Sequence, residues 1–181
     1  MKNFDFVKAF ADSPCIKFPY QGELYNEILS PYEDKEIRFF EIGIFQGYSL
    51  VVWNQGLPKA KLFGMDFQFP DTDLSFCEKL FHGNQAYRPY MLKVAEELKE
   101  LDVCIDDGGH FADEQQVSFE CLWPIIKSGG IYVVEDLHQA ANKTVDGFSN
   151  SVDYFEKLDI KKKWFVGMNG FEKDTCVLYK E

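Results

Sequence analysis

The sequence predicts an α/β fold: one domain with a doubly wound, mostly parallel, seven-stranded sheet closed by a C-terminal antiparallel hairpin. Three observations carry this. Leu101 to Ile105 and Ile131 to Val134 are short apolar runs bounded by Gly or charge, as buried parallel strands are. A third apolar run, from Ile37, passes through Glu41 into Gly43 and Gly47 and then into a helical stretch. Between these runs, segments with helical spacing alternate with further short strands, the pattern of βαβ units.

Taken in order, residues 1–34 form a helical leader, with Phe4, Val7, Phe10 and Ala11 and then Leu24, Ile28 and Leu29 at helical spacing. Pro14, Pro19 and Pro31 interrupt it, and it is expected to pack on the domain over the ligand site. The domain proper is 35–181. After the first strand, Gly43 allows a tight turn and close approach of a ligand to the backbone, and a helix through Val51, Val52 and Trp53 follows. The second strand, Ala60 to Asp66, ends in an acid about 20 residues past the glycine loop, a spacing suited to a ribose diol. Lys79 to His82 reads as a third strand leading to Asn84 and Gln85. Helices are expected at Leu92–Leu98, at Phe111–Ile126 with a glycine stop at Gly129–Gly130, and at Ser151–Leu158. Trp164–Met168 and Thr175–Tyr179 are the expected hairpin, turning at Asn169–Gly170.

Composition narrows the function classes. At 46% hydrophobic and 17% aromatic, the 181 residues can bury a sizeable core. A net charge of −11 and a pI of 4.7 disfavour nucleic acid and acidic membranes as partners. The N-terminus reads as neither a signal peptide nor a span, so a cytoplasmic protein is expected. The five cysteines, Cys15, Cys77, Cys104, Cys121 and Cys176, lack CxxC pairing and read as reduced residues.

The chemistry gathers where strands end in acid. Ligands of open α/β sheets bind outside the carboxyl ends of the strands. Neighbouring strands ending at Asp106–Asp107 and Glu135–Asp136 would set four carboxylates on one rim, with His110 one turn away. They would repel one another unless something positive sits among them, and a divalent cation is the simplest candidate. An acid after a strand is also an ordinary turn residue, so the doubling and the histidine carry the weight. His82 and His138 lack His110's position just after an acid-ended strand.

The chain resembles the class I S-adenosylmethionine-dependent methyltransferases, whose Rossmann-like fold it would share. More narrowly, FFEIGIFQGYSL from Phe39, IDDGGH from Ile105 and GGIYVVEDLH from Gly129 look like the macrocin and mycinamicin sugar O-methyltransferase family, over roughly residues 20 to 181. The resemblance implies a Mg²⁺-dependent O-methyltransferase acting on a sugar, a glycoside or another small polyhydroxyl substrate. Asp107, Glu135 and Asp136 would hold the metal, and His110 would be the general base. Glu41, Gly43 and Gly47 would line the methionine part of S-adenosylmethionine, Asp66 would hold its ribose and Asn84–Gln85 would sit near adenine, with Ser49 and Asp106 also among the cofactor-binding residues. A homo-oligomer is compatible with this.

Two other readings compete. Phe45 and Tyr48 inside the glycine loop favour a catalytically silent cofactor- or partner-binding domain of the same fold. A nicotinamide-dependent oxidoreductase would want GxGxxG, and here the loop is ExGxxxG.

Overall fold

The structure, a computed structural model, describes residues 4–140, 145–167 and 170–181. Helices α1 (Phe6–Ala11) and α2 (Pro19–Leu29) precede strand β1 (Arg38–Ile42) and helix α3 (Tyr48–Gly56). Then come β2 (Lys61–Asp66), β3 (Lys79–His82), α4 (Arg88–Leu98), β4 (Leu101–Asp106), α5 (Ala112–Leu122) and β5 (Ile126–Val134). The chain closes with α6 (Leu137–Ala140), α7 (Ser151–Lys157), β6 (Lys162–Phe165) and β7 (Thr175–Tyr179).

Among the described residues these strands form one seven-stranded sheet in the order β3-β2-β1-β4-β5-β7-β6. The first five strands in that order run parallel, and β7 pairs antiparallel with both β5 and β6. The order reverses between β1 and β4, which is where such sheets open a crevice for ligands.

Side chains alternate across the strands, so each face has its own core. Phe40 and Ile42 of β1 pack with Met91 and Val94 of α4 and Phe119 of α5, whereas Phe39 packs with the helices of the other face. On that second face the leader supplies Phe6, Phe10, Tyr25 and Leu29, all buried around Trp53 of α3. The rings of Phe6, Phe10 and Tyr25 lie 5.4, 5.2 and 4.7 Å from Trp53. Burying one such side chain is worth about 1.5–3 kcal/mol, so the leader is held by a core it shares with α3 and the sheet.

Local chemistry sets the element ends. Asp5 accepts from Lys8 N at the start of α1, and Pro19 opens α2, where its missing N–H costs nothing. Helix α4 starts a turn before the expected Leu92, at Arg88, with Pro89 in its first turn. Helix α5 stops at Leu122 and not at Ile126, because Pro124 cannot continue the ladder and Trp123–Ile125 tightens into a 3₁₀ turn. Lys127 to Gly130, expected to be a helix stop, instead belongs to β5. The hairpin forms with β6 at Lys162–Phe165; Met168 and Asn169, expected in its strand end and turn, lie outside the described residues. Cys104, Cys121 and Cys176 are buried, Cys15 and Cys77 half-buried, and all five are free thiols.

Candidate active site

Register brings the acid-ended strands side by side. Ile42 of β1 is level with Asp106 of β4, which is level with Val134 of β5, and Asp66 of β2 is level with His82 of β3. The turns after β1, β2, β4 and β5 therefore share one rim.

A cleft of about 380 Å³ opens there, and its walls include Gly43, Phe45, Asp66, Gln85, Asp107 and His110. Gly43 adopts φ +82°, in the left-handed region that favours glycine. The Asp66 carboxylate accepts the backbone N–H of Phe45 at 2.8 Å and of Gln68 at 3.2 Å. Phe45 contributes to the cleft wall and is 65% exposed. Gly47, at φ +80°, caps α3.

Glu41, Gly47, Ser49, Asn84 and Asp106 are not part of this wall; all but Asn84 are buried. Glu41 is fully buried and accepts from Ser49 Oγ at 2.8 Å; burial pushes its carboxyl up to about 7, against the pull of Lys17, Trp53 and Ser49. Asp106 is likewise pushed up to about 7 by burial, while Gln85 Nε2 at 3.0 Å and the Tyr132 hydroxyl at 3.2 Å donate to it. Gln85 also accepts from Gly109 N at 2.9 Å, so it lines the cleft and clamps the loop that carries His110. Asn84 is exposed, and its side chain accepts from Ala86 N in a local turn.

The second half of the site is ionic. Asp107, His110 and Asp136 each offer a ligand atom, all within 4.8 Å of one another. His110 Nε2 lies 3.6 Å from Asp136 Oδ2, and Asp136 holds a left-handed φ of +54°, a conformation Asp tolerates better than most residues. Burial and the Glu135 charge raise the Asp136 carboxyl, with His110 opposing.

Glu135 faces the leader. It accepts from Lys17 Nζ at 2.6 Å, from Gln21 Nε2 and from the Tyr25 hydroxyl. Lys17 also reaches Asp107 Oδ2 at 2.7 Å. Burial works against the Lys17 charge, but Asp107 and Glu135 outweigh it and hold the ammonium well above its usual range. One cation cannot neutralise two carboxylates, and Asp107 is raised by burial and by Glu135. Nothing in the local pattern around Lys17, Gln21 and Tyr25 marks them as site residues. The acids' demand for a positive partner was legible, but the sequence reading met it with a divalent cation and not with Lys17.

His138 pairs through Nδ1 with the buried Asp174 and lies 4.0 Å from Asp136, so Asp136, His138 and Asp174 form a second group of close ligand atoms, while His82 is exposed with its ring against Phe69. Among the described residues no helix is long and apolar enough to cross a membrane.

No family model matches the chain. Over 127 residues it is 36% identical to the 8-demethyl-8-(2-methoxy-alpha-L-rhamnosyl)-tetracenomycin-C 3'-O-methyltransferase of Streptomyces olivaceus, covering 65% of this chain and 32% of that enzyme. To the mycinamicin VI 2''-O-methyltransferase of Micromonospora griseorubida it is 28% identical, covering 64% of this chain and 31% of that enzyme. The chain thus spans about a third of the length of the curated relatives it matches. Among solved structures, the MycE methyltransferase of the mycinamycin biosynthetic pathway, in complex with Mg, SAH and mycinamycin VI, has a TM-score of 0.80 at 19% identity, covering 99% of this chain and 54% of that one. At that identity the likeness speaks for the fold.

Proposed function

We propose that this chain, a relative in sequence of the macrocin- and mycinamicin-type sugar O-methyltransferases, moves a methyl group from S-adenosylmethionine to a hydroxyl of a sugar or glycoside, with Mg²⁺ as cofactor. One observation carries it: the cleft lined by Gly43 and Asp66 runs without interruption to Asp107 and His110, which stand with Asp136 in a cluster of ligand atoms.

The residues present suit both groups. Gly43 lets a ligand approach the backbone, and the Asp66 carboxylate suits a ribose diol. Asp107, Asp136 and Glu135 are hard oxygen donors of the kind Mg²⁺ takes, Glu135 once its leader contacts are exchanged. When bound, the two groups supply a sulfonium methyl and a charge that makes a nearby hydroxyl more acidic. His110, beside Asp136, takes the hydroxyl proton as general base. Gln85 fixes the loop through Gly109, and Asp106 holds Gln85 in turn, so the base is positioned by buried partners.

The acceptor class rests on the relatives, whose names place their methyl groups on rhamnosyl and olivosyl sugars. The test is transfer from methyl-labelled S-adenosylmethionine to a panel of deoxyhexose glycosides, with Mg²⁺ and with chelator. Labelled glycoside that disappears with chelator is expected. Labelled product unaffected by chelator would remove the metal from the reading.

One observation favours a second reading. The Lys17 ammonium sits between Asp107 and Glu135, as it would in a silent, cofactor-binding relative. Such a protein would bind S-adenosylmethionine and methylate none of the panel.

A further inference from the structure

The leader brings to the acidic rim a charge that the rim itself lacks. Lys17 Nζ lies 2.7 Å from Asp107 Oδ2 and 2.6 Å from Glu135 Oε1, with its side chain only 2% exposed. Gln21 takes the other Glu135 oxygen, so both oxygens of this carboxylate are engaged by the leader. The segment Pro14 to Lys17 also forms one wall of a small cavity of about 60 Å³, whose facing wall is the loop around Gly43 and Ser49. The same few residues therefore touch the acids and cover part of the glycine loop.

Removing one partner of a buried ion pair is strongly destabilising, so a cation beside Glu135 and Asp107 stabilises the rim, and Lys17 supplies it here. A Mg²⁺ bound to Asp107 and Glu135 must come within about 2.1 Å of their oxygens, where the ammonium now sits, and two cations so close repel. The site has room for one of them.

We propose that Lys17 is an exchangeable resident cation: a divalent ion taking up Asp107 and Glu135 expels it, and its departure releases Pro14–Lys17 from the glycine loop. This rests on the metal reading given above. Ion occupancy and access to the cofactor cleft are then linked through one lysine. The leader keeps the acids paired in the absence of the ion and uncovers the loop in its presence.

Two measurements on the full chain test this. In the wild type, tryptic cleavage after Lys17, followed by mass spectrometry, should be slow without divalent ions and accelerate as Mg²⁺ is added. By calorimetry, Lys17→Met should bind Mg²⁺ at least about tenfold more tightly, because the competing state is gone. If Mg²⁺ binds the wild type while Lys17 stays protected, the exchange is overturned and the metal reading survives. Equal or weaker Mg²⁺ affinity in Lys17→Met overturns it in the same way. If Mg²⁺ binds neither protein, the metal reading falls and takes the exchange with it. The proteolysis arm needs no variant, so it decides even if Lys17→Met folds poorly.

Discussion

A Cβ placed on Gly43 would lie 2.1 Å from the carbonyl oxygen of Asp107. The loop after β1 and the loop after β4 thus meet backbone to backbone, with Asp107 N donating to Ile42 O at 3.0 Å. The glycine loop and the acidic rim are one unit. Gly43→Ala must overcome this clash and also the cost of a left-handed φ, about 1–2 kcal/mol by itself. We expect a clearly lower melting temperature and at least tenfold weaker S-adenosylmethionine binding, read by calorimetry on the folded fraction.

Asp66 is committed to the turn through Phe45 N and Gln68 N and also faces the cleft. Asp66→Ala should weaken S-adenosylmethionine binding by about 1–3 kcal/mol, the scale of hydrogen bonds to a charged group. Affinity equal to wild type would remove Asp66 from the ribose.

Glu41 predicts a pH dependence of stability. Its carboxyl is raised in the fold from 4.5 to about 7, so the native state holds the proton longer than the unfolded chain. Stability then falls as pH rises between these values, and the loss is complete above them. Glu41→Gln removes the charge that has to be buried and keeps an acceptor for Ser49. Its melting temperature should exceed wild type at pH 8, by the equivalent of roughly 3 kcal/mol, and the gap should close near pH 4.5. Asp106 titrates over the same window, so the variant should keep part of the slope. A gap that does not change with pH would contradict this.

The strands were legible in the sequence because each is a short apolar run with a charged or glycine end, and the acid ends located the rim. Asp107, His110 and Asp136 lie together on that rim, while Glu135, expected to share the ion with Asp107 and Asp136, is engaged by the leader. Helix ends were less legible: Pro124 outweighed the periodicity that carried α5 on to Ile126, and β5 absorbed the glycines read as a stop. Gln85 was placed beside a ligand, while its clamp on Asp106 and Gly109 depends on contacts across 21 and 24 residues. Lys17 was the largest omission. It reaches Asp107 and Glu135 across 90 and 118 residues, a separation over which no local pattern can signal contact.

His110 is the residue on which chemistry and scaffold make opposite forecasts. As general base it should contribute about 10²–10⁴-fold to turnover, so His110→Ala should lose that much with cofactor affinity and melting temperature nearly unchanged. Wild-type activity should fall toward acid as the base is protonated, and the residual activity of the variant should lack that limb. A variant that melts early yet turns over normally per folded molecule would return His110 to the scaffold.

The most direct measurement is a crystal structure with S-adenosylhomocysteine and Mg²⁺ bound. We expect the homocysteine part to lie along Gly43 and the ribose hydroxyls to meet Asp66. One ion should be held by oxygens of Asp107, Glu135 and Asp136 at about 2.1 Å, with His110 facing the open side. An ion held instead by Asp136, His138 and Asp174, or S-adenosylhomocysteine bound outside the cleft, would contradict the proposed active site.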